Sequence, residues 1–220
     1  MASVTAYPTS IVLDDGFSGG GLFYNGTWTS LSNAAAEDGS FASNADAIGI
    51  GASDSEGPQP MNAVAFDFSS IPDTATIDGF LVEKKDKFTG TGYSHYQTAV
   101  SDRTSLVRAG AEYGTGYSSG HVGTPVVSSG LPTTTLAWRS WGGATELFGR
   151  TWTVAQVKSS DFGPKFLWAW EFLGGGATSY QLDSIRVTVY YTEAAPSGYP
   201  ATRGQRFIPH TPGAQRRIGA

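Results

Sequence analysis

The sequence contains no cysteine, which excludes disulfide bonds, thiolate metal sites and cysteine nucleophiles. Charged residues make up only 15% of the chain, so little material is present for solvent-facing helices. No apolar run approaches the roughly 18 residues that span a bilayer, and residues 1–5 show no basic or apolar leader. We therefore expect no secretion signal and no membrane anchor, and a fold stabilised by packing, hydrogen bonds or subunit contacts.

Residues typical of strands and turns are plentiful. Aromatic residues reach 13% and the chain has 29 glycines, while 40% hydrophobic content is enough for one sizeable core. Residues 76–85 offer Ile77, Phe80 and Val82 as a buried side, and residues 180–191 alternate between apolar and polar positions. Residues 153–159 are the best helix candidate, beginning after a threonine cap. The patterns predict an all-β fold with at most one short helix.

Three further segments carry local predictions. The almost wholly apolar residues 165–173 are typical of a strand buried on both faces. Residues 93–100 and 104–108 suit a hairpin that turns at 101–103, and residues 110–135 read as a long loop with a short strand at 124–128.

The composition divides the chain into three parts. Residues 1–60 are irregular and contribute strands, residues 61–193 form the core of the domain, and residues 194–220 form an extended arm in which four prolines prevent regular structure. The arm carries +4 and the formal net charge is −5, so residues 1–193 carry −9.

The arm is the predicted partner-binding segment. It has no acidic residue, and its four arginines do not alternate with aromatic residues as in many nucleic-acid-binding segments. This composition favours an acidic protein neighbour over nucleic acid. The residues expected to make this contact are Arg203, Arg206, Phe207, Ile208, Arg216 and Arg217.

Catalytic and metal-binding patterns are missing from the sequence. His95, His121 and His210 have no neighbouring ligand at helical spacing, and no nucleophile elbow or phosphate loop occurs. The adjacent acids Asp14-Asp15 and Glu37-Asp38 fit turns better than a catalytic pair. We expect no enzyme activity, no cofactor and no metal, although the Asp- and Asn-rich residues 38–46 leave Ca²⁺ open.

Two tryptophans are candidates for an exposed contact. Trp138 and Trp141 lie beside Arg139, Ser140 and glycines, a setting that favours partial exposure. Flat aromatic faces stack on sugar rings and also fill subunit interfaces, so these residues are assigned to glycan or subunit contact.

Three sequence blocks follow one another between Trp28 and Thr192. Residues 66–82 read Phe-Asp-Phe-Ser-Ser-Ile-Pro-Asp-Thr-Ala-Thr-Ile-Asp-Gly-Phe-Leu-Val, and residues 142–163 contain Gly-Gly, Leu-Phe-Gly, Trp-Thr and a closing Phe-Gly. Residues 183–192 read Asp-Ser-Ile-Arg-Val-Thr-Val-Tyr-Tyr-Thr. Together the blocks resemble a domain of tailed-bacteriophage virion structural proteins and related prophage genes.

The resemblance implies a jelly-roll-like antiparallel β-sandwich in a virion component that is made in the host cytoplasm. It implies a non-enzymatic role, as a capsid decoration (cement) protein or a neck or tail accessory, with other virion proteins as partners. A homo-oligomer is expected, with a trimer favoured. The alternatives are a carbohydrate- or receptor-binding module of a tail fibre and a glycan-active enzyme.

Overall fold

The computed structural model describes residues 1–13, 23–24, 27–45, 56–57, 59–89, 97–108, 111–113, 126–127, 133–172 and 179–194. Within these ranges the chain forms strands, one 3-10 turn at Leu31–Ala34 and one short helix, α1, at Val154–Val157. The strands are β1 Ala2–Ala6, β2 Pro8–Leu13, β3 Phe23–Tyr24, β4 Trp28–Thr29, β5 Ala42–Asn44, β6 Glu56–Gly57, β7 Met61–Phe66, β8 Thr76–Thr89, β9 Gln97–Arg108, β10 Ala111–Tyr113, β11 Val126–Val127, β12 Ala137–Gly143, β13 Gly163–Phe172 and β14 Ser179–Thr192. The predicted all-β class is confirmed.

The strands form two sheets. Sheet A has six strands in the order β12-β8-β14-β5-β4, with β1 also on β14. Sheet B has eight strands and is built around β9 and β13, with β7 and β2 continuing from β13. All pairings are antiparallel except the short one between β3 and β6. From β7 onwards the long strands alternate between the sheets, since β7, β9 and β13 lie in sheet B and β8, β12 and β14 in sheet A.

Alternation of side chains along β8 and β14 builds one wall of the core. Phe80 and Val82 are fully buried, as their spacing predicts, and lie opposite Val189 and Val187 in the β8–β14 register. Ile77 is also buried, at 6% exposure. The central position of β14, between β8 on one side and β1 and β5 on the other, explains why most of its residues are buried.

The two sheets pack their apolar faces together. The Trp141 ring of sheet A lies 5.7 Å, centroid to centroid, from the Phe166 ring of sheet B. Connecting segments close one end of the sandwich with aromatic edge contacts, in which Phe162 lies 5.3 Å from Trp152 and 6.1 Å from Phe68. Aromatic pairs at these separations add to the area that they bury.

Helix α1 holds part of this closing segment in place. Its predicted threonine cap is present, because the Thr153 hydroxyl accepts a hydrogen bond from the Gln156 backbone and the Gln156 side chain accepts one from the Thr153 backbone. Val154 and Val157 point into the core. No helix among the described residues is long and apolar enough to cross a membrane.

Two glycines are required by close backbone contacts. A Cβ atom on Gly79 would lie 2.5 Å from the Ala144 carbonyl carbon, and one on Gly163 would lie 1.8 Å from the Ala63 carbonyl oxygen. Neither site has room for a side chain without movement of the backbone, so both glycines are there for packing.

The predicted hairpin at 101–103 is wrong. Residues 97–108 form the single strand β9, and Ser101, Asp102 and Arg103 continue its pairing with β13. Three polar residues in a row are a weak local signal, and the long-range ladder with β13 overrides it. Of the predicted loop at 110–135, β10 and β11 are described and both pair with β9. The arm lies outside the described residues except for Ala194.

Candidate functional site

Trp138 and Trp141 lie on opposite faces of β12. Because they are three residues apart on a strand, their side chains must point in opposite directions. Trp141 is 1% exposed and packs on Phe166 between the sheets. The expectation that Trp141 is partly exposed is therefore wrong, and this residue is not available to a glycan or a second subunit.

Trp138 lies on the outer face of sheet A and is half-buried there. The Arg186 guanidinium carbon is 3.9 Å from its ring centroid, and the Lys85 Nζ is 6.0 Å away. A guanidinium at this distance covers one face of the indole. A sugar ring would have to displace Arg186 to stack on that face.

Ion pairs hold the charged residues around Trp138. Arg186 donates two parallel hydrogen bonds to Glu83, of 2.6 and 3.0 Å, the geometry in which an arginine binds a carboxylate most firmly. Lys85 Nζ lies 2.7 Å from a Glu37 oxygen and 3.1 Å from Asp183. We call Glu37, Glu83, Lys85, Trp138 and Arg186 the Trp138 surface.

Three members of the Trp138 surface, Glu37, Lys85 and Arg186, have shifted pKa values. The hydrogen bond from Lys85 lowers the pKa of Glu37, and a bond from Trp138 acts in the same direction. The hydrogen bonds to Glu37 and Asp183 raise the pKa of Lys85, and the bonds to Glu83 raise the pKa of Arg186. Each of these shifts favours the charged form of its group at neutral pH, so the Trp138 surface presents fixed charges of both signs.

A second charged cluster is buried between the sheets. Lys84 and Asp86 are both 0% exposed, and Lys84 Nζ lies 3.2 Å from an Asp86 oxygen. Arg139 and the Tyr180 hydroxyl donate hydrogen bonds to the two oxygens of the same carboxylate. Lys84 Nζ also lies 5.2 Å from the Trp141 ring centroid. We call Lys84, Asp86, Arg139 and Tyr180 the buried charge cluster.

Sequence reasoning missed the buried charge cluster, although a signal was present. Lys84 and Asp86 continue the period of two that begins at Phe80 and Val82, so the same pattern that predicts those two as buried places the charged residues on the inner face. Lysine and aspartate are usually exposed residue types. In β8 the alternation along the strand predicts their burial better than the residue type does.

The described residues contain no group of three histidine, aspartate or glutamate side chains that could hold a metal ion. Asp38, in the region left open for Ca²⁺, accepts a hydrogen bond of 2.8 Å from the Ser40 backbone, as a turn-forming residue does. The three histidines, the pair Asp14-Asp15 and the six predicted contact residues of the arm lie outside the described part of the chain.

No family model, no curated protein and no solved structure matches this chain.

Proposed function

We propose that this protein is a non-enzymatic structural component of a tailed-phage particle, a capsid decoration protein or a neck or tail accessory, that attaches through residues 194–220. Its partners are other virion proteins and further copies of itself. Three sequence blocks, at 66–82, 142–163 and 183–192, support this proposal through their resemblance to phage virion domains. The supporting observation in the structure is that these blocks pack on one another.

Phe80 of the first block contacts both of the other blocks. Its ring lies 5.5 Å from Trp152 and 5.6 Å from Phe162, both in the second block. Its backbone N–H donates a 2.9 Å hydrogen bond to the Glu146 carbonyl, and it lies opposite Val189 of the third block. Residues separated by about a hundred positions thus form one packing unit.

Residues that distinguish the blocks have packing roles. Gly79 and Gly163 permit the close backbone contacts already described, and Gly142 adopts a φ of +82° where a Cβ would lie 2.3 Å from the Phe80 carbonyl oxygen. Among the described residues, the blocks supply glycines and aromatic rings to a core and bring together no set of catalytic groups. A packed scaffold built from the three blocks, with the arm outside them, agrees with a structural role.

The proposal includes a jelly-roll-like order of strand connections between the two sheets. The long strands from β7 to β14 alternate between the two sheets, as strands do when Greek keys wrap around a sandwich. The first and last described strands, β1 and β14, are neighbours in sheet A.

Charge supports attachment through the arm. The arm carries +4 and no acidic residue, and it follows directly from the end of β14, one of the most buried strands. A Pro-rich segment of this kind can lie along a neighbouring subunit that offers acidic groups. Oppositely charged segments also speed the encounter of the two partners.

Truncation after Glu193 tests the role of the arm. We expect the truncated protein to keep the melting temperature of the full chain, because the prolines of the arm disfavour a regular element that could add to the sandwich. We also expect it to lose binding to particles that lack the protein. Occupancy is measured by electron microscopy and by quantitative mass spectrometry of purified particles. Wild-type occupancy of the truncated protein would refute attachment through the arm.

Two matched variants separate charge from chain length. Replacement of Arg203, Arg206, Arg216 and Arg217 by glutamate should abolish binding, whereas replacement by lysine should retain it with a stronger dependence on salt. Binding of the full chain to an immobilised glycan array, with no association with particles, would instead favour the tail-fibre receptor module.

A further inference from the structure

Among the described residues, the outer edge of β1 is left unpaired. β1 pairs with β14 through Ala2–Ala6 without a break in register, and no other strand among the described residues pairs with it. A strand in this position presents unpaired backbone N–H and C=O groups to another strand. Proteins commonly block such edges with charged side chains, prolines or bulges, and β1 has none of these.

The opposite edge of sheet A differs. Strand β12 ends in Gly142 and Gly143, whose φ angles of +82° and +158° depart from regular strand geometry. Its inward face carries Arg139 of the buried charge cluster. An irregular edge of this kind is a poor template for a further strand, so of these two edges β1 is the better suited to pairing.

The sequence of β1 is nearly self-complementary. It reads Ala-Ser-Val-Thr-Ala, and an antiparallel copy centred on Val4 places Ala2 opposite Ala6 and Ser3 opposite Thr5. Small apolar side chains then meet on the inner face and hydroxyls meet on the outer face, both favourable cross-strand pairs. A contact in which the same residues face each other is what a twofold axis requires.

Apolar surface also lies next to the β1 edge. Of the exposed large hydrophobic residues of the described chain, Met1 at 72% and Tyr7 at 37% directly flank β1, whereas Val12 at 50% lies on β2 in sheet B. Val4 packs against the core but remains partly exposed. A second copy would cover apolar surface that is otherwise in water.

We propose that two copies of this chain pair β1 with β1 in antiparallel register about Val4, which joins the two copies of sheet A into one continuous sheet. The contact gives a dimer in place of the trimer that the family resemblance implies. Five residues from each copy form a small interface, below the roughly 1,200 Å² of stable complexes, so we expect association at micromolar concentrations. The dimer is independent of the proposed role in a particle.

A single introduced cysteine tests the proposed twofold axis at Val4. The natural chain has no cysteine, so in Val4→Cys two copies of residue 4 are the only thiols. Opposite residues of an antiparallel pair have Cα atoms about 4.5 to 5.5 Å apart, within the range of a disulfide. We expect Val4→Cys to form a disulfide-linked dimer under mild oxidation. Ala137→Cys, at an exposed position of β12, should form no disulfide-linked dimer under the same conditions. Equal cross-linking of both variants, or none in Val4→Cys, would overturn the proposal.

A charge exchange tests the register without relying on oxidation. In Ser3→Lys/Thr5→Lys, lysines of the two copies face each other, and we expect dimerisation to weaken about tenfold or more in sedimentation velocity. In Ser3→Lys/Thr5→Glu, each lysine faces a glutamate of the other copy, and dimerisation should return. Both variants lose the 2.7 Å hydrogen bond between Thr5 and Thr188, so a purely structural effect would change them equally. Equal loss in both variants, or a trimer insensitive to either, would contradict pairing through β1.

Discussion

Asp86→Asn tests how the charges between the sheets contribute to stability. Asp86 is the carboxylate that Lys84, Arg139 and Tyr180 all contact, and it is fully buried. Asparagine has nearly the same volume, so the substitution leaves the packing intact and removes the negative charge. Two buried cations then lose the carboxylate that both contact, which is the costly case for buried ion pairs.

Loss of one partner of a buried ion pair costs about 3 to 5 kcal/mol. For a chain of this length, each kcal/mol lowers the melting temperature by roughly 2 to 4 °C, so the expected decrease is about 6 to 20 °C. Urea denaturation followed by tryptophan fluorescence gives the free energy of unfolding directly. Asp73→Asn is the control, because Asp73 pairs with Lys158 at 2.6 Å but is 89% exposed, and should change stability little.

A change in the free energy of unfolding below about 1 kcal/mol for Asp86→Asn would refute this reasoning, because exposed pairs have effects of that size. An apolar replacement of the whole cluster gives the complementary test. Lys84→Met, Asp86→Leu, Arg139→Met and Tyr180→Phe together should be close to wild type or more stable, because the cluster then carries no charge. A quadruple variant that is less stable than Asp86→Asn would show that the packing, and not the charge, dominates.

Two further predictions concern single contacts. The pKa of Glu37 is lowered in the folded state, so its ion pair with Lys85 stabilises the protein above pH 4.5, the usual pKa of the group, and this contribution is lost as the pH falls through the folded-state value. Chemical denaturation as a function of pH should therefore show wild type and Glu37→Gln converging in acid, and a constant difference would contradict it. Gly163→Ala should destabilise the protein more than Gly39→Ala, because its Cβ would overlap the Ala63 carbonyl, whereas Gly39 has nothing within 4 Å and alanine there meets only the strain of a φ of +79°, about 1 to 2 kcal/mol. Similar melting temperatures for the two alanine variants would show that the backbone at Gly163 yields.

The periodic strands could be predicted because their signal is local. In β14, the alternation of Ile185, Val187 and Val189 with polar residues is enough to place the strand and its buried face. The cap of α1 is equally local, since Thr153 and Gln156 stand three residues apart. Neither prediction needed knowledge of which strand lies beside which.

The wrong predictions concern positions where residues distant in sequence determine burial or strand pairing. Trp141 is surrounded in sequence by small and polar residues, yet Lys84 and Phe166, far along the chain, make its surroundings in the folded protein. The polar triplet at 101–103 likewise belongs to a strand because β13 pairs with it. The composition around a residue describes only its neighbours in sequence. Its burial depends on its neighbours in space, which the order of strands in the sheets determines.

The location of β14 also determines how the molecule would respond to tension. A force transmitted through residues 194–220 enters the fold at Thr192, the last residue of β14. β14 is paired with β8 along almost its full length and with β1 and β5 on its other side. A pull along the strand axis therefore loads these backbone hydrogen bonds in shear and together, because antiparallel ladder bonds lie perpendicular to the strands. Residues 194–220 are therefore joined to the sandwich through a strand that is hard to extract.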